Sequence, residues 1–163
     1  MTIWTPVLFV VAFAAMEVVA VVEHRWVMHG IGWSWHRSHH QVPGRRHLEA
    51  NDRFPVVFAV LAIVAFLVGT QVDGWAWLIP VAAGMTAYGA SYTIVHEGYI
   101  HGRLGVRFPR SALLDRLAAA HLVHHRHNGA PFGMLLPMVP AEHRPDEPAS
   151  RTVATDPSGL NGS

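Results

Sequence analysis

A chain of 163 residues is one domain by length, and 51% hydrophobic against 14% charged residues is the balance of a membrane protein rather than a soluble enzyme. A formal net charge of +1 gives no electrostatic case for nucleic acid as a partner. Cysteine is absent, which excludes disulfides, thiolate-ligated or c-type haem and an iron-sulfur cluster held by this chain, so any electrons the chemistry requires come from another protein.

Ile3 to Val22 is an apolar run broken only by Thr5, Pro6 and Glu17. As a helix it is about 30 Å long and able to span a bilayer. No Lys or Arg precedes it and the first basic residue, Arg25, follows it, which argues for a span over a cleaved signal peptide. Glu17 is costly against lipid and is expected to face other helices or a polar cavity. The next segment carries Arg25, Arg37, Arg45, Arg46 and Arg53; within it Trp33 to Gln41 reads as a short helix and Pro43-Gly44 as a turn.

Phe54 to Thr70 and Trp75 to Val95 are two further apolar runs, joined by a tight turn at Gln71-Val72-Asp73-Gly74. They predict a helical hairpin with Trp75 and Trp77 as interface anchors and Gly84, Ala87, Gly89, Ala90 and Ser91 as a small-residue face. Ser111 to Arg126 predicts an amphipathic helix capped by Ser111, with Leu113, Leu114, Leu117, Ala118 and Leu122 on its apolar side, lying at the membrane surface over the site. Gly129 to Pro140 is apolar but interrupted by prolines and glycines, a re-entrant or packed surface loop rather than a span. From Ala141 the composition turns to Pro, Asp, Glu, Ser and Gly, so the predicted division is a membrane-embedded domain over 1–140 and a disordered tail over 141–163. Ten arginines lie between Arg25 and Arg126 and none in the hairpin turn. By the positive-inside rule both arginine-bearing segments face the cytoplasm. The predicted fold class is therefore all-α, with about three transmembrane helices plus cytoplasmic-side helices.

Those cytoplasmic segments hold ten of the thirteen histidines, in two matching sets. His24, His29, His36, His39 and His40 spell His-x4-His and then His-x2-His-His; His96, His101, His121, His124 and His125 spell the same two phrases with a longer gap. In each triplet the histidines three and four apart share one helix flank, while the adjacent pair differ by about 100° around the axis, which suits two metal ions better than one. The ends of His-x4-His lie about 140° apart on an α-helix, so those residues either bind different ions or sit where the helix ends. Any single histidine is more often a packed or surface residue than a ligand; a doubled phrase points to a dinuclear site. All-nitrogen ligands suit iron, zinc, copper or nickel. Glu23, Asp52 and Glu97 are near enough in sequence to orient ligating imidazoles, although each is equally placed to be a capping or solvated acid.

The stretch His24-Arg-Trp-Val-Met-His29-Gly, continuing through Gly32-Trp-Ser-Trp-His36-Arg-Ser-His39-His40, resembles the bacterial β-carotene hydroxylases of the fatty acid hydroxylase and sterol desaturase superfamily. Asn51-Asp52, Ile94-Val-His96-Glu-Gly-Tyr-Ile-His101, Ala120-His121-Leu-Val-His124-His125 and Phe132-Gly133 are similar to the same family, so the likeness covers about residues 1–140. It implies a membrane-embedded monooxygenase with two non-haem iron ions on the ten histidines, zinc being able to replace iron in a purified sample. It implies further that O2 and two electrons from an external donor, ferredoxin or similar with its reductase, hydroxylate carbon 3 of the β-ionone ring, taking β-carotene to β-cryptoxanthin and zeaxanthin. The carotenoid would enter from membrane lipid, and the protein would sit in the inner membrane with its site on the cytoplasmic face. His127 and the prolines after Phe132 depart from the family pattern.

Arg37, Arg103 and Arg126 lie among the histidines, where they would meet an acidic electron carrier or simply satisfy topology, the reading favoured here. Rival readings are a fatty-acyl or sterol-type hydroxylase, a metal transporter or sensor, and a bis-histidine haem protein. A transporter places histidines and acids along a span, where this chain has only Glu17. A haem protein needs histidines facing each other deep in a bundle.

Overall fold

Each of the three apolar runs becomes a helix long enough to cross a bilayer, and the two histidine-bearing segments collect at one end. The computed structural model describes residues 3–41, 48–136 and 139. The turn at Pro43-Gly44, Arg45, Arg46 and the tail from Ala141 lie outside the described residues. In chain order, α1 (Trp4–Val22) continues as π-helical turns over Glu23–Ile31 and bends into α2 (Trp33–Gln41). A 3-10 turn at Ala50–Asp52 leads into α3 (Arg53–Gln71). Then α4 (Leu78–Tyr92) continues as π-helical turns over Thr93–Ile100, and α5 (Ala112–His127) follows. No strand occurs among the described residues.

The candidate spans run Trp4–Ile31, Ala50–Gln71 and Leu78–Ile100, at 28, 22 and 23 residues. Valines and isoleucines such as Val18, Val60 and Ile63 point outward and are exposed. Helices apolar all round are stable only where the surroundings are also apolar, which is the condition a bilayer provides. The protein is an all-helical membrane protein.

The hairpin turn is wider than the expected tight turn. Gly74 takes φ +84°, and bonds from Trp75 N to Val72 O and Leu78 N to Trp75 O form two successive turns, so α4 starts at Leu78 rather than Trp75. Trp75 and Trp77 stack at 5.7 Å and stay exposed, as interface anchors would.

Helix α4 packs on both α1 and α3. The predicted small-residue face divides in two here. A Cβ on Gly84 would lie 2.5 Å from the Phe9 carbonyl oxygen and 2.9 Å from Ala12 Cβ, whereas a Cβ on Gly89 would meet nothing within 4 Å. Of the two glycines, Gly84 is the one held against α1. Gly84→Val is therefore expected to force the two backbones apart at a cost of about 1–3 kcal/mol. The lowered thermal midpoint of the detergent-solubilised protein reads it, with Gly89→Ala as the near-neutral comparison.

At the polar end, Ser111 occupies the N-cap of α5, but its side chain makes no capping bond; its carbonyl accepts from Asp115 N at 2.8 Å instead. The buried face of α5 is Leu117, Ala120, His121 and His124, while Leu113 and Leu122 are exposed. The predicted apolar stripe is thus only partly inward, because the histidine flank takes the interior.

Candidate metal centre

The π-helical turns solve the geometric problem that the His-x4-His spacing posed. Bonding from i to i+5 brings residues five apart over one another, where an α-helix would splay them. His24 and His29 accordingly have ring centroids 5.1 Å apart, and His96 and His101 4.7 Å. Members of each phrase face the same way: His24 and His29 fall in one group rather than two, and His101 caps the turns that end at Ile100, the helix-end alternative of the two expected.

All ten predicted histidines converge at the polar end, in two adjoining groups. Donor nitrogens of His24, His29, His36, His40 and His124 lie within 4.8 Å of one another, as do those of His39, His101, His121 and His125. His96 borders the second group, its ring 4.8 Å from His39 and 4.6 Å from His121. Each adjacent His-His pair is divided, His40 and His124 into the first group and His39 and His125 into the second. That division is the consequence of the 100° step along α2 and α5.

The outer nitrogens show which lone pairs face inward. His24 Nδ1 donates to the Phe132 carbonyl at 3.0 Å, His124 Nδ1 to the Gly129 carbonyl at 2.6 Å, His36 Nδ1 to Asn51 Oδ1 at 2.8 Å, and His96 Nδ1 to Glu97 Oε1 at 2.7 Å. An acceptor at Nδ1 fixes the proton there and leaves Nε2 bare in a neutral ring. The His24 and His36 Nε2 atoms nevertheless face each other at 3.1 Å, and buried His96 Nε2 has no hydrogen-bond partner among the described residues. Converging bare lone pairs repel unless a cation lies between them, so these residues fit a metal. Burial, opposed or reinforced by the neighbours of each ring, pushes His36 and His125 down to about 4 and His101 and His124 down to about 3. His39, His40 and His121 are likewise pushed down by burial. Neutral imidazoles are the ligating form.

The three acids singled out in sequence have separate fates. Glu97 holds His96 and is itself held by Arg103 and, at 3.2 Å, by the Tyr92 hydroxyl. Asp52 hydrogen-bonds no imidazole among the described residues: it accepts from Arg103 at 2.8 and 2.9 Å and from the Glu49 backbone N–H at 2.8 Å. Glu23 has no hydrogen-bond or ion-pair partner among the described residues and lines a cavity instead. Arg103, with only 12% of its side chain exposed, is structural and is not available to dock an electron carrier.

That cavity has a volume of about 640 Å3 and lies among α1, α3 and α4. Its wall is almost wholly apolar, including Met16, Phe58, Ala62, Phe66 and Met85, and it reaches His24 and Glu23 at the polar end. Met134 contributes to the wall from the segment after α5. Residues 134–136 lie against α1, where Glu17 accepts their backbone N–H groups.

Sequence reasoning missed the Asn51 amide, the Phe132 and Gly129 carbonyls and the Glu49–Arg103 pairing. Asn51 stood in a recognised phrase and so had a signal; a backbone carbonyl has none.

Residues 9–140 match the family described as Fatty acid hydroxylase. The chain is 43% identical to a β-carotene hydroxylase of Pantoea ananas, over 78% of this chain and 71% of the relative. It is 46% identical to one of Paracoccus sp. (strain PC1), over 77% of each, and 38% identical to one of Pseudescherichia vulneris, over 90% of this chain and 88% of the relative. No solved structure matches the chain. A histidine-lined centre at the end of three membrane helices, with a family match across nearly all described residues, leads to one conclusion: the chain belongs to the fatty acid hydroxylase family, alongside the bacterial β-carotene hydroxylases it resembles over most of its length.

Proposed function

We propose that the protein is a carotenoid β-ring hydroxylase, a membrane non-haem di-iron monooxygenase that converts β-carotene through β-cryptoxanthin to zeaxanthin. The observation that carries this reading is the apolar cavity within the spans that ends on His24. A hydrocarbon ring has no polar handle, so shape and apolar contact must hold it, and a cavity of this size suits one end group while the polyene extends toward lipid.

In this reading His24, His29, His36, His40 and His124 hold one iron, and His39, His96, His101, His121 and His125 hold the other. The pair of ions, when bound, supplies the activation of O2 that no side-chain acid or base can provide. Overall, one oxygen atom becomes the ring hydroxyl and the other leaves as water, consuming two electrons and two protons. The chain's own residues do the rest. Phe132, Gly129, Asn51 and Glu97 fix the ring tautomers, and Met16, Phe58 and Phe66 keep water from the reacting carbon. With no cysteine to hold an iron-sulfur cluster that would feed the iron pair, the electrons come from a ferredoxin-type donor and its reductase. The arginine distribution supports a cytoplasmic-membrane location with the centre on the cytoplasmic face.

A fatty-acyl substrate is disfavoured, because the relatives that resemble this chain over most of its length are β-carotene hydroxylases. A transporter is disfavoured because the histidines gather at one end of the spans. Expression in a β-carotene-producing host tests the proposal: hydroxylated pigment is the expected product. Unchanged β-carotene beside newly hydroxylated acyl chains would hand the assignment to the acyl rival.

A further inference from the structure

Glu17 does more than hide a charge. It sits seven residues before His24 on α1, about 10 Å along the axis, and is 7% exposed. Its carboxylate accepts from the Tyr88 hydroxyl at 2.6 Å and from three consecutive backbone N–H groups, Met134 at 2.9 Å, Leu135 at 3.1 Å and Leu136 at 3.2 Å. One acid thereby joins α1, α4 and the segment after α5. Two residues before Met134, the Phe132 carbonyl accepts from His24 Nδ1, and the Phe132 ring packs 5.5 Å from His24 and from His124 and 5.4 Å from His29. The second histidine group makes no hydrogen bond or ring contact with this segment among the described residues; its acids are Glu97, bonded to His96, and Glu49, 3.9 Å from His39 Nδ1.

We propose that Glu17 is a positioning residue for the first histidine group alone: by tying residues 134–136 to the membrane helices it sets the Phe132 carbonyl and hence the rotation of the His24 ring. The inference rests on reading the histidines as ligands of two ions. A glutamine at position 17 keeps the volume and one acceptor oxygen but removes the charge and puts an NH2 where Oε2 accepts from Tyr88 and from Leu135 N, so the charge-assisted tie slackens without opening a hole. Gly133→Ala loosens the same tie from the other side, since its Cβ would lie 2.9 Å from Glu17 Oε1 and 3.0 Å from Leu136 O.

The test is Mössbauer spectroscopy of the full chain loaded with isotopically enriched iron, alongside its unfolding midpoint and turnover. In Glu17→Gln one iron environment shifts or empties while the other keeps the wild-type spectrum, and kcat falls about tenfold to a hundredfold. Gly133→Ala gives the same one-sided signature, and carries the test if Glu17→Gln does not fold. Wild-type-like spectra in both variants would overturn the positioning role. So would equal loss of both environments with a lowered midpoint, since Glu17 would then serve the fold only. Wild-type protein that binds no iron pair would instead remove the metal reading on which the inference stands.

Discussion

His39→Ala and His40→Ala are expected to strip different ions from the same protein, although the two residues are neighbours on α2. His40 belongs to the group of His24, His29, His36 and His124, and His39 to that of His101, His121 and His125. Each variant should retain about one ion of the pair and lose hydroxylation to background, a larger effect than the roughly 10–100-fold typical of an outer-shell change. Pairing the changes sharpens the result. His39→Ala with His125→Ala removes two donors from one group and should still hold one ion, whereas His39→Ala with His40→Ala injures both groups and should hold neither. Metal analysis of the purified variants reads this directly. Equal metal loss in the two double variants would mean that the histidines form one undivided site.

The existence and direction of this centre were legible because they follow from periodicity. Three apolar runs required three spans, and the arginine asymmetry required both histidine sets to share one end. The triplets required a division of each His-His pair. What the spacing hid was the winding of the helix: on an α-helix His24 and His29 diverge, and only i to i+5 bonding aligns them. No propensity rule forecasts a π-helical stretch, and the His-x4-His phrase is itself the signal, since it is the spacing such a helix makes coaxial. The fate of Glu17 was half legible. Its cost against lipid required a partner, but the partners are three backbone amides more than a hundred residues away, and backbone atoms carry no sequence label. Glu23 lines the cavity beside His24, and adjacency in sequence carried no information on whether its carboxylate would bond an imidazole. The apolar side of α5 misled in part, because of its predicted residues only Leu117 is buried and His121 and His124 share that flank.

Arg103→Met should cost about 3–5 kcal/mol at neutral pH, the range for removing one partner of a buried ion pair. The guanidinium bonds Asp52 through two nitrogens, bonds Glu97, and lies 3.9 Å from Glu49, with side chains of all four residues between 11% and 23% exposed. Methionine replaces the volume but leaves three carboxylates facing one another. Burial already pushes Glu49 above its usual carboxylate value, with Arg103 pulling it back, so losing the cation raises it further. A carboxyl whose folded value is raised above its unfolded one binds more protons when folded. The deficit against wild type must then be greatest at neutral pH and shrink below about pH 5, as the acids take up protons. Lysine at this position should restore only part of the loss, because a point charge cannot bridge Asp52 and Glu97 with separate nitrogens. Through Glu97 the damage reaches His96, so the weakened ion is the one in the second group, opposite to the one governed by Glu17. Unfolding midpoints across the acid range, measured beside metal content, check both halves. A pH-independent deficit would remove the carboxylate cluster as its cause.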